Sequence, residues 1–128
     1  MGAKWIKIAV LYFILGIAFG LFMHYTIQLQ WGATHAHINV VGWLSTGLIG
    51  VIYSVYPAAG NSSLGKTHFW LHHIGLPVLL LGMLFIYVDV PLFVLEFCVS
   101  GGGIAFALSV IIFIVNVFQN VRSPEVNK

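Results

Sequence analysis

Four apolar runs, each long enough to cross a bilayer, take up nearly the whole chain and leave it few ways to fold. A membrane-crossing helix needs about 20 residues. The runs lie at about 5–28, 35–56, 68–88 and 91–119, and only 6% of the 128 residues are charged. A soluble domain carries roughly a quarter. The expected fold is all-α: an integral membrane four-helix bundle, one domain over residues 1–128 embedded in the lipid bilayer. Breakers separate the runs at Gln30-Trp31-Gly32, at 57–65 and at Asp89-Val90-Pro91. Such short connections make consecutive helices antiparallel neighbours.

The few charges set an orientation. Lys4, Lys7, Lys66, Arg122 and Lys128 all fall on one side of a four-span chain, and the other two loops have no Lys or Arg. The positive-inside rule then places both termini in the cytoplasm. Lys4 and Lys7 ahead of an apolar run also fit the outline of a signal peptide. No small-x-small cleavage site follows at 19–25, so the first run is expected to stay as a helix. No basic run or aromatic–basic interleaving occurs, which argues against nucleic acid. The lone Cys98 can form neither an internal disulfide nor a thiolate metal site, and is expected to be a packing residue.

Against this background the six histidines stand out, because imidazole is costly to place in lipid and is a common ligand of metals and of heme iron. An outer group comprises His24, near the end of the first run, and His35 and His37, at the start of the second. Glu96, about one turn into the fourth run, falls at the same depth. At 1.5 Å per residue these four side chains share a layer of roughly 10 Å. His35 and His37 are two apart and point to nearly opposite sides of a helix, so only one faces inward. His37 is the deeper and the expected inward one, with His35 at the interface or facing a neighbouring subunit. An inner group, His68, His72 and His73, opens the third run. His68 and His72 share a face at i, i+4, the spacing of helical zinc motifs, but the motif's glutamate is absent. This group reads either as a second site or as an interfacial belt beside Trp70. Roughly 30 Å separates the two levels, so one ion cannot join them.

The run Thr34-His35-Ala36-His37-Ile38-Asn39-Val40-Val41-Gly42-Trp43, ending at Tyr56-Pro57, resembles the second helix of the heme–copper oxidase and nitric-oxide reductase catalytic subunit. The stretch from Leu11 to Gly20, with Gln28-Leu29-Gln30, resembles its first helix. His68-Phe69-Trp70-Leu71 with Gly75 and Gly82 resembles its third. The chain is similar to small four-helix proteins that look like the front part of that subunit, over about residues 5–90. The resemblance puts His37 on the low-spin heme ligand, and implies heme b near the outer leaflet of a bacterial inner membrane. The family's other heme and copper ligands come from later helices and have no counterpart here. A complete oxygen-reducing centre is therefore not expected in this chain. The second axial ligand would be His24, with His35 also near, or a histidine of a second protomer.

Three functions stay open on the sequence. One is a heme b protein in electron transfer, or in nitric oxide or oxygen binding, exchanging electrons with quinol or a respiratory-chain protein. Another is a copper or zinc site at His24, His35, His37 and Glu96, serving metal delivery or oxidase assembly. The last is a cofactor-free assembly partner. Four helices offer few walls for a heme, which favours a homo-oligomer. Gly16 and Gly20, and Ser100-Gly101-Gly102-Gly103, suit close helix packing or the approach of a flat ring.

Overall fold

The computed structural model of the protein describes residues 1–122; the tail 123–128, with Lys128, lies outside the described residues. The described residues are mostly helical, with no strand among them. Four helices are long and apolar enough to cross a membrane: α1 (Gly2–Thr26), α2 (Leu29–Val55), α3 (Ser63–Phe85) and α4 (Leu92–Asn120). α2 and α3 begin earlier than the apolar runs suggested. Gln30-Trp31-Gly32 does not break the chain; Leu29–Trp31 forms a tight 3₁₀ turn that feeds directly into α2. Pro57 opens a short helical turn, Pro57–Asn61, as a residue with no N–H to lose at a helix start. Ser62 then caps α3 by accepting from the Gly65 N–H at 2.9 Å.

The helices pair as two hairpins, α1 with α2 and α3 with α4. Small residues permit this in the second hairpin. A Cβ on Gly75 would stand 2.6 Å from the Phe106 backbone nitrogen, and one on Gly102 would strike the Leu79 backbone. Backbone meets backbone there, and no side chain fits between. Between the hairpins, side chains fill the space instead. One cluster holds Trp5, Ile49, Tyr53 and Ala59; the other holds Tyr12, Ile38, Leu76 and Leu80. Met1 and Val121 both pack on the first cluster, so the two ends of the described chain meet at one end of the bundle. At the other end the Trp31 indole N–H donates to the Leu84 carbonyl at 3.1 Å, tying α2 to α3.

α2 is wound unusually. Ile38–Ser45 is π-helical, as is Phe97–Gly101 in α4. The buried positions Thr34, Ile38, Gly42 and Thr46 recur every four residues. Such a stripe drifts around an α-helix of 3.6 residues per turn, and wider winding holds it on one face. Ser45 and Thr46 hydroxyls donate to the carbonyls five residues back, Val40 and Val41, at 2.8 and 2.9 Å. Outward positions are apolar: Leu11 is 65% and Phe118 85% exposed. These faces suit lipid rather than water.

The glycine seam gives a direct test. Gly102→Leu must push against the Leu79 backbone, whereas a Cβ at the neighbouring Gly103 meets only the tip of Leu79, 3.8 Å away. Gly102→Leu should destabilise the protein by about 1–3 kcal/mol or more through overpacking. Gly103→Leu should be close to neutral when thermal unfolding is followed by circular dichroism in micelles.

Candidate functional site

Trp5 organises the inner half of the bundle. Its indole is fully buried, and the three inner histidines gather round it. The ring centroids of His68, His72 and His73 lie 4.7, 4.8 and 4.5 Å from it. Tyr53 meets it edge-on at 5.9 Å and Phe69 at 5.5 Å. His68 and His72 are 0% and 1% exposed, so they form no interfacial belt; Trp70 between them turns outward, 64% exposed. The i, i+4 pair does share a face, with ring centroids 5.6 Å apart. His73 joins because Trp5 is wide enough to touch neighbouring positions of α3 at once.

Buried polar groups must find partners, and those found here fix the proton positions of two rings. Asn116 Nδ2 donates to the Ala59 carbonyl and to the Tyr53 hydroxyl, both at 3.0 Å. Tyr53 therefore uses its own proton toward His68 Nδ1, at 2.7 Å. A neutral His68 then carries its hydrogen on Nε2. Thr46 donates to the Val41 carbonyl, so toward His72 Nε2, 2.9 Å away, it accepts. A neutral His72 then has a bare lone pair on Nδ1. His68 Nε2, His72 Nδ1, the Trp5 indole nitrogen and both His73 nitrogens are buried with no partner. Pro77, which has no N–H, also removes the helical donor of the His73 carbonyl. The inner group is thus rich in unspent hydrogen-bonding capacity.

Beside it, between α2 and α4, lies a cavity of about 320 Å³. His68 and His72 line it together with Leu48, Ile52, Phe106 and Phe113, among others. Leu48 and Val110 on its rim are outward-facing, so it opens on the side of the bundle.

The outer set is placed differently. His35 is half-buried and turns toward α1, with Nε2 only 2.8 Å from where a Cβ on Gly20 would stand. His37 is exposed, and its Nδ1 donates to the Ala33 carbonyl of its own helix at 2.9 Å. This reverses the expected pair: His35 faces in and His37 out, because the missing side chain at Gly20 makes room for one ring. His24 is exposed, edge-on to Tyr25 at 5.2 Å. Glu96 is exposed and accepts from Ser100 Oγ of its own helix at 3.2 Å. Among the described residues, no three of His, Cys, Asp and Glu are placed to share a metal ion, in either group. Cys98 is buried in the α3–α4 seam, as a packing residue is.

Trp5, Thr46, Tyr53 and Asn116 escaped sequence reasoning. Trp5, between Lys4 and Lys7, reads only as the edge of a span. Asn116 was the better signal: an amide in an otherwise apolar run needs a partner, as a buried polar group in lipid does. Removing it should be costly. Asn116→Leu takes one donor from the Tyr53 hydroxyl and one from the Ala59 carbonyl, which keep His68 and the Ser62 hydroxyl, and should lower stability by about 1–3 kcal/mol in denaturant titrations. Asn120→Ala, at the helix end, should cost less than half as much.

No protein-family model matches the chain, and no curated protein and no solved structure was found similar to it.

Proposed function

We propose that the protein is a heme b-binding protein of a bacterial inner membrane, with both termini in the cytoplasm and His37 as an axial ligand. The observation that carries this is the state of the His37 ring. A carbonyl only accepts, so the 2.9 Å contact with Ala33 places the hydrogen on Nδ1. A neutral imidazole then presents a bare Nε2, and the carbonyl fixes the ring from behind, as a hydrogen-bond acceptor fixes a ligating histidine. Around the ring lies a shallow depression of about 220 Å³, lined by Ala36, Val40 and Val41, which is apolar and low enough for a flat macrocycle. The run around His37 also resembles the heme-bearing helix of the oxidase subunit.

His35 is committed to α1, so the second axial nitrogen would come from a second copy of the chain, or from His24 after α1 frays. When bound, heme supplies single-electron transfer, or with one position open a site for nitric oxide or oxygen. The protein's part is to present one imidazole in a fixed tautomer and to exclude water with apolar neighbours. Quinol or a respiratory-chain protein would be the electron partner. Copper or zinc at the outer set gains less support, since its members do not converge.

Protein purified after heme-replete expression should show a Soret band that shifts on dithionite reduction. His37→Ala should lose at least about nine-tenths of the bound heme, the loss of an axial ligand being worth more than one hydrogen bond. His24→Ala discriminates the source of the second ligand by whether a low-spin spectrum survives. A colourless protein would overturn the heme reading. Stoichiometric copper or zinc that His37→Ala removes would replace it.

A further inference from the structure

Two cavities lie one after the other along the side of the bundle, between α2 and α4, helices of different hairpins. The deeper, of about 320 Å³, has almost wholly apolar walls, among them Leu48, Ile52, Val110 and Phe113. The histidines that also line it, at 0% and 1% exposure, give it almost no polar surface. The other, of about 550 Å³, lies further along the same two helices, at the end where Met1 and Val121 meet. Val55, Tyr56 and Pro57 wall it on one side, and Gln119, Asn120 and Arg122 on the other. Its wall is partly polar, and Gln119 and Arg122 are exposed. Lys4 and Lys66, at the starts of α1 and α3, belong to this same end. The acids among the described residues, Asp89 and Glu96, lie toward the opposite end.

We propose that these two cavities together bind one anionic phospholipid, with its phosphate at Arg122 and an acyl chain laid along the groove into the apolar cavity. A guanidinium matches a phosphate with two parallel N–H donors, and the Gln119 and Asn120 amides and the Tyr56 phenol add further donors nearby. Basic pockets between membrane helices suit charged headgroups. The lengths also agree. A hydrocarbon core of about 30 Å gives each leaflet about 15 Å. At about 1.5 Å per residue, Leu48 lies about 10 Å along α2 from Val55, and Val110 about 15 Å along α4 from Asn120. A chain that starts at the polar cavity therefore reaches the apolar one within a single leaflet. A neutral lipid would fill the apolar cavity but bring no anion to Arg122. A soluble phosphate would meet Arg122 and leave the apolar cavity uncovered. The site does not depend on heme at His37, which lies toward the other end of α2.

Native mass spectrometry of the delipidated full-length protein in detergent reads both stoichiometry and affinity. The probe is dioleoyl-phosphatidylglycerol. The comparison ligands are dioleoyl-phosphatidylcholine, dihexanoyl-phosphatidylglycerol and glycerol 3-phosphate. The probe should bind saturably at one per chain. The choline lipid should bind at least about fivefold more weakly, since it brings a cation to a cationic end. Arg122→Gln should weaken the probe at least about tenfold, the loss of charge-assisted hydrogen bonds. Lys66→Gln, at the same end but off the groove, should weaken it about threefold at most. Leu48 is outward-facing, so Leu48→Trp fills the apolar cavity without disturbing the core. It should weaken the dioleoyl probe at least about threefold and leave the dihexanoyl lipid, whose chains are too short to reach, unchanged. Equal binding of the glycerol and choline lipids would overturn the proposal. Equal losses from Arg122→Gln and Lys66→Gln would reduce it to diffuse attraction and overturn it too. So would undiminished binding by Leu48→Trp, or glycerol 3-phosphate binding as tightly as the probe. Heme-loaded and heme-free preparations should give the same result, so a failure here is separable from a failure at His37.

Discussion

The contact between Trp5 and the three inner histidines is what the bundle turns on. Each hairpin closes on itself, but the two hairpins share little backbone contact at their inner ends. They are joined there by hydrogen bonds involving Thr46 and Tyr53 of α2 and by one indole from α1 laid against His68, His72 and His73 of α3. The contact buries large aromatic surface, and aromatic pairs gain beyond their area from ring geometry.

A seam of polar rings in an apolar bundle has to be kept satisfied, and here the partners come from outside the helix that carries the rings. Thr46 reaches His72 from α2. Tyr53, also on α2, reaches His68 and is itself held by Asn116 of α4. The π-winding of Ile38–Ser45 belongs to the same economy. It keeps an every-fourth-residue stripe turned inward and delivers Thr46 to the seam. Local backbone irregularity, long-range hydrogen bonds and aromatic contact therefore converge on the same few residues. The groups left unpaired belong to Trp5, His68, His72 and His73, the same rings that meet at the indole.

Hydropathy made the number of helices and their antiparallel order legible, since about 20 apolar residues have no other use. The starts of α2 and α3 were not, because Trp31 and Pro57 were read as breakers when one sits in a 3₁₀ turn and the other opens a helical turn. Counting along the runs gave an expected depth, one level for His24, His35, His37 and Glu96. Depth says nothing about azimuth. Glu96 settled on its own helix with Ser100, and His35 turned inward only because Gly20 lies opposite. The inner pair could be anticipated because i, i+4 is a property of one helix. Its partners could not: Tyr53 and Asn116 are 63 positions apart in sequence. A pairing across that distance is a product of the fold and has no local signature.

The distance in sequence between Trp5 and the histidines it meets has a consequence for biogenesis. Each hairpin joins sequence neighbours, so α1 can settle on α2 as soon as both have left the ribosome. The indole, however, has nothing to hold until the histidines of α3 follow some sixty residues later, a delay of seconds at ordinary synthesis rates. Made well before its partners, Trp5 is one of the last residues of the first hairpin to find its place. Until then the first hairpin must tolerate a tryptophan turned toward lipid, which the membrane–water interface accommodates well.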